Sequence, residues 1–153
     1  MSIETSYQIE HWIWKPLARD RVRVSYRANR GNYNRKTFIL PNAYEVDERF
    51  MEAIGLYLGD GDFNRKEKRH LTFCSKDKEL ATFFLAFLRD YFHILNKDLT
   101  ILIQYNKFNN NIKQDWSKAL KFPSLRILTR FSNRHLHECC HVQVNGVVFR
   151  KLF

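Results

Sequence analysis

The chain has 153 residues, enough to bury one sizeable core, and its 44% hydrophobic and 27% charged residues exclude wholesale disorder. No apolar run approaches the roughly 18 residues of a membrane span, and Met1-Ser2-Ile3-Glu4 lacks a basic-then-apolar leader, so neither a membrane partner nor a secretory route is expected. Lys and Arg number 26 against 16 Asp and Glu, a net charge of +10 that suits a polyanionic partner, because neutralising phosphates releases counterions. The bases cluster: seven against one acid over residues 19–36, six against two over 63–78, and seven against one over 107–134.

In chain order, residues 1–44 form a basic N-terminal extension and 45–153 the main domain. Residues 19–27 alternate with period two, so Val22, Val24 and Tyr26 face inward while Arg19, Arg21, Arg23 and Arg27 form a ladder on the other face of a strand. Such a ladder suits a phosphate backbone; the bland alternative is an edge strand blunted by charge. After Pro41, Asp47 caps a helix of about a dozen residues. Residues 62–75 then read as a hairpin with a basic tip (Arg65, Lys66, Lys68, Arg69) and a second strand in which Leu71 and Phe73 alternate with Thr72 and Cys74. Leu80, Phe83, Phe84, Phe87, Leu88 and Tyr91 recur at helical spacing and form a core stripe. A strand follows at 99–105, with Thr100 and Gln104 outward, then a polar loop at 106–111 and a short helix at 114–121. Residues 136–144 form a last strand carrying Gln143, and 145–153 begin a helix. The order predicts an α+β fold with a mostly antiparallel sheet, one face on the helices and the other exposed.

The chemistry concentrates in Ala53-Ile-Gly-Leu-Tyr-Leu-Gly-Asp-Gly61. Gly55 and Gly59 lie four apart on one helix face, where each costs about 1 kcal/mol relative to Ala. Small residues at that spacing let two helix backbones approach closely. Asp60 falls at the helix C-terminus, where the macrodipole disfavours an anion by roughly 0.3–1 kcal/mol. A divalent cation would reverse that penalty. Gly61 is expected in the left-handed conformation that ends a helix.

These residues resemble the core motif of the LAGLIDADG homing endonucleases. Gly55 holds the motif's third place, Leu56 follows it, Gly59 is the small residue at the seventh, Asp60 the acid at the eighth and Gly61 the closing glycine; the sixth-place acid is Leu58 here. The basic hairpin and the segment Phe73-Cys-Ser-Lys-Asp-Lys-Glu-Leu80 look like the family's second strand and second helix. The resemblance covers roughly 35–153, with 106–135 poorly matched. It implies an αββαββ(α) half-domain whose saddle-shaped antiparallel sheet lies in the DNA major groove, with the motif helices as the two-fold interface. It also implies a homodimer cutting double-stranded DNA at a palindromic target with Mg²⁺ or another divalent cation. Asp60 would be the catalytic metal ligand with Gly61 beside it, Gly55 and Gly59 would line the dimer interface, and Asp62 is a second ligand or a hairpin residue. Against the family pattern the third helix is cut short at Phe153, and no position matches the family's basic residue near the active site.

On such a sheet Thr72, Cys74, Thr100, Gln104 and Gln143 would read bases, while Arg65, Lys66, Lys68 and Arg69 hold phosphates or guanine. The alternative is a catalytically inactive DNA-binding protein, or an RNA-splicing maturase of the same fold binding structured RNA. His137-Glu-Cys-Cys-His141 fits the H-E-x-x-H zinc-peptidase pattern, but its flanks alternate like a strand and no His, Asp or Glu follows His141 as a third ligand. As a strand, His135, His137, Cys139 and His141 share one face, open to packing, DNA contact or zinc. The three cysteines, Cys74, Cys139 and Cys140, form no disulfide framework and fit a reducing cytoplasm, or an organelle if encoded there.

Overall fold

A computed structural model of the chain describes residues 9–17, 20–28, 36–61, 70–107, 109–133 and 137–146. The chain divides into two compact units, Met1–Tyr44 and Glu45–Phe153. Both are described below, and together they make a mixed α+β protein with two sheets and three α-helices among the described residues.

The first unit holds β1 (Ile9–Leu17), β2 (Arg21–Ala28) and β3 (Lys36–Pro41), antiparallel in the order β1-β2-β3. The sequence reading recognised only β2. In β1 the aromatic and proline content of IEHWIWKPL breaks the alternation, and in β3 the continuous Phe38-Ile39-Leu40 hides it, although Phe38 and Leu40 are buried and Ile39 is 46% exposed. Asp20 makes the tight turn into β2 with a φ of 53°, a conformation that Asp tolerates better than most residues. Val22, Val24 and Tyr26 are buried as expected, and the Tyr26 and Phe38 rings lie 6.3 Å apart and nearly parallel across the β2–β3 pair.

The second unit contains α1 (Glu48–Asp60), β4 (Leu71–Ser75), α2 (Lys78–Phe92), β5 (Leu99–Tyr105), α3 (Ile112–Leu120), β6 (Ile127–Phe131) and β7 (Cys139–Val144). Its strands order as β4-β7-β5-β6. β7 pairs antiparallel with both β4 and β5, while β6 lies parallel to β5 on the edge. That parallel strand leaves the sheet mostly antiparallel, as expected. It arises because α3 lies between β5 and β6, and a helical crossover returns the chain in the direction it left. The sequence pattern assigns no element to 127–131, where alternation is hidden because only Ile127 is buried.

The core lies between the sheet and α2. Leu71, Phe73, Ile101, Ile103, Val142 and Val144 are buried on one sheet face, against Phe84, Leu85, Phe87 and Leu88 of α2. The buried stripe of α2 is centred on Ala81, Phe84, Leu85 and Leu88, so Phe83 and Tyr91 sit at its margin. Full burial of a side chain such as Phe84 contributes about 1.5–3 kcal/mol. Phe84 stacks on Phe73 with ring centroids 4.4 Å apart and on Tyr57 of α1 at 6.0 Å. Among the described residues no helix is long and apolar enough to cross a membrane.

Asp47 caps α1, accepting a 2.7 Å hydrogen bond from the Phe50 amide, and it also accepts one of 2.6 Å from the Tyr91 hydroxyl at the far end of α2. The Tyr91 bond first, and the Phe50 amide second, hold the Asp47 carboxyl below its ordinary pKa. The stabilisation is therefore present above the unfolded value of about 3.9 and is lost as pH falls through the lower folded value. We expect Asp47→Asn, which keeps the capping geometry, to lower the urea midpoint at neutral pH. That deficit should shrink towards zero in acid; a deficit independent of pH would refute the ionic origin.

Candidate functional site

The buried side of α1 is set by Ala53 and Tyr57, which leaves Met51, Gly55, Leu58 and Gly59 on the opposite, exposed side. Met51 is 57% and Leu58 60% exposed, large apolar side chains flanking the two glycines. A Cβ built on Gly55 or Gly59 would meet nothing within 4 Å. Among the described residues the glycine notch is thus open space, and neither glycine is needed for packing against them.

Asp60 is the last residue of α1 and is exposed. Gly61 follows it with φ −72° and ψ 142°, so the expected left-handed cap is corrected to an extended one. Its amide donates a 2.8 Å bond to the Tyr57 carbonyl, and its backbone bridges Phe73. The need for glycine is steric: a Cβ there would lie 2.2 Å from the Tyr57 carbonyl oxygen and 2.8 Å from its ring. Asp62 and the hairpin-tip bases Arg65, Lys66, Lys68 and Arg69 lie outside the described residues, as do Arg19 and His135.

The outer face of the four-stranded sheet gathers the polar residues into rows. Thr72 opposes Gln143, which opposes Thr100. In the next row Cys74 opposes His141, then come Leu102 and Leu128. A third row runs Cys139, Gln104, Arg130. Period-two alternation on each strand puts all of these on the side away from α2. Thr72, Thr100, Gln104 and Gln143, spread over 72 positions of sequence, therefore share one surface, where each is half-buried among its neighbours. Asn145 extends the first row by donating a 2.8 Å bond to Thr100 Oγ1. The amide oxygen of Gln104 is buried and has no hydrogen-bond partner among the described residues. Arg130 and Leu128 were missed as members of this face, since their placement depends on strand order and no local pattern encodes it.

A cleft of about 450 Å³ opens beside this face, lined by Asp60, Cys74, Asp77, His137, Glu138 and Cys139 among others. Glu138 accepts a hydrogen bond from the indole of the buried Trp116, so one wall is fixed to α3. Cys74 and Cys139 meet as a disulfide between β4 and β7. The odd cysteine count gave no sign of that pairing. Cys140 points the other way, into the core, where burial first and the Glu138 charge second push its thiol up to about 12. His137 and Glu138 precede β7, so of the expected stripe of His135, His137, Cys139 and His141 the last two lie on the strand, His137 lies before it, and His135 falls outside the described residues.

In the first unit Arg21 and Arg23 are exposed opposite the buried valines, and Arg27 lies on the same strand. β2 is the middle strand, which removes the edge-strand alternative. Lys15 of β1 stands directly across from Arg23, and like charges in that position repel. Beyond Arg23 on the same face, Ser25 is buried and bonds Thr37 Oγ1 at 3.0 Å. Comparison with protein families, curated proteins and solved structures finds no match to this chain.

The glycines generate a paired expectation. Gly55→Ala and Gly59→Ala should each stabilise the monomeric chain by about 1 kcal/mol through helix propensity. Gly61→Ala should destabilise it by forcing the end of α1 off the Tyr57 carbonyl. Denaturant titration of the three variants checks the opposite signs.

Proposed function

We propose that this chain is a homing-type DNA endonuclease resembling the LAGLIDADG family, acting as a homodimer that cuts double-stranded DNA by metal-dependent phosphodiester hydrolysis. One observation carries the reading: the exposed face of α1 has an open notch over Gly55 and Gly59 and ends in the exposed Asp60. In an isolated domain two interior glycines that touch nothing are a pure cost. They gain a purpose when a second copy of α1 lies across them, with Met51 and Leu58 burying apolar surface on either side. The order α1, β4, α2, β5, β7, with β7 antiparallel to β4 and β5, supplies five of the six elements of an αββαββ arrangement, the strand expected before β4 falling outside the described residues; α3 and β6 are additions to it.

Two-fold pairing at the notch brings the two Asp60 carboxylates together at the helix ends. The exposed carboxylate and the carbonyl end of a helix macrodipole are hard oxygen donors of negative potential, a set that fits Mg²⁺. When bound, such an ion stabilises the attacking and leaving oxygens of the phosphodiester. The protein's own part is binding and orientation. Gln104 and Gln143 offer amides that can bond an adenine edge bidentately, and Thr72 and Thr100 offer hydroxyls beside them. Lys15, Arg21 and Arg23 supply phosphate contacts that add affinity without reading sequence. A two-fold protein then reads a palindromic or pseudo-palindromic site.

Incubation with a randomised duplex library and Mg²⁺, followed by sequencing of broken ends, should yield a two-fold-related cut site. Asp60→Asn should abolish cutting while leaving binding in Ca²⁺ intact. A wild type that binds duplex but cuts no better than Asp60→Asn makes this a DNA-binding protein, and selective retention of structured RNA makes it a maturase-type binder. Gly55→Leu should convert the dimer to monomers by sedimentation without unfolding, because the chain itself leaves room for the side chain. A dimer that survives refutes the interface.

A further inference from the structure

Cys74, Cys139 and His141 converge on the outer face of the sheet from two strands. Cys74 and His141 are direct cross-strand partners, and Cys139 lies two residues before His141 on the same face. All three are half-buried, and their sulfur and imidazole nitrogen atoms lie within 4.8 Å of one another. Cys74 Sγ is 3.7 Å from His141 Nε2.

A disulfide uses two of these residues, with the imidazole in contact with one of their sulfurs. The two Cα atoms are 6.6 Å apart. That is close to the upper end of the range of about 4.4–6.8 Å that a disulfide accepts. A tetrahedral metal site accounts for all three. Zn–S bonds of about 2.3 Å and a Zn–N bond of about 2.0–2.1 Å at the tetrahedral angle place sulfur and nitrogen about 3.6 Å apart, and the two sulfurs about 3.8 Å apart. The Cys74–His141 separation already matches that edge. The second edge opens once a two-electron reductant, such as a thiol or phosphine, has cleaved the bond to two thiolates and Cys139 has turned about its Cα–Cβ bond.

The surroundings point the same way. In a chain of net charge +10, the adjoining cleft is lined by the carboxylate residues Asp60, Asp77 and Glu138 against one base, Lys76. Such a balance favours a dication over an anion there. His137 also lines the cleft, two residues before Cys139, and a fourth position on the metal would open towards it. Thiolate and imidazole donors select zinc over magnesium, so this site is chemically separate from any oxygen-ligated ion at Asp60.

We propose that, with its thiols reduced, the chain binds one Zn²⁺ ion through Cys74, Cys139 and His141, clamping β4 to β7 beside the cleft. Cobalt reports on the site. The full-length chain, reduced with a phosphine and titrated with Co²⁺, should develop thiolate-to-cobalt charge transfer and the intense ligand-field bands of tetrahedral coordination. Both should saturate at one equivalent and vanish on addition of Zn²⁺. Cys74→Ser and Cys139→Ser should each lose roughly half of the charge-transfer intensity, in proportion to the sulfurs removed. His141→Ala should weaken cobalt binding at least about tenfold, and Cys140→Ala, on the core side of β7, should match the wild type. A reduced wild type that gives no tetrahedral bands overturns the proposal, whatever the variants do, and reduces the pair to a plain disulfide. Full charge-transfer intensity in Cys74→Ser overturns it equally.

Discussion

The aromatic stack at Phe84 orients everything else in the second unit. Its ring lies against Phe73 of β4 on one side and Tyr57 of α1 on the other, and all three are buried. With Phe73 committed inward, the alternation of β4 must turn Thr72 and Cys74 outward. With Tyr57 committed inward, the helical period must turn Gly55 and Gly59 to solvent. One contact between three rings therefore selects which face of the sheet and which face of α1 remain available for partners. Replacing any of the rings would disturb both surfaces at once, even though none of the three belongs to either.

Much of this was legible in the sequence because it is local. The cap at Asp47, the extent of α1, the buried stripe of α2 and the alternation of β5 each depend on a few neighbouring residues, and each was found in the structure. Strands lacking alternation were not legible. β1 and β3 carry apolar residues on both faces, and β6 buries one residue. Gly61 shows a subtler limit: a glycine closing a helix was read as a left-handed cap, whereas its constraint is a carbonyl 2.2 Å from where a Cβ would sit. That depends on the path of the following chain, which no local rule describes.

The outer sheet face shows the same division. Which residues of a strand point outward is readable from period two, so Thr72, Thr100, Gln104 and Gln143 could be named in advance. Which of them become neighbours depends on strand order. β7 inserts between β4 and β5, so Gln143 contacts both Thr72 and Thr100 in register, and the parallel addition of β6 brings Arg130 beside Gln104. The result is a surface with threonines and glutamine at one end, a sulfur and imidazole group in the middle row, and Arg130 in register with Gln104 at the other.

The strict alternation of β7 has a consequence for Cys139 and Cys140. Although adjacent in sequence, they occupy opposite sides of the sheet, one near the cleft and one sealed in the hydrocarbon interior. A vicinal link between them would require the strand to break. The sealed thiol is also kept protonated, so it is a poor nucleophile for exchange. Oxidants reaching this chain thus have a single intramolecular crosslink to make despite an odd complement of sulfhydryls, and scrambling is forbidden by geometry for as long as the sheet stays folded.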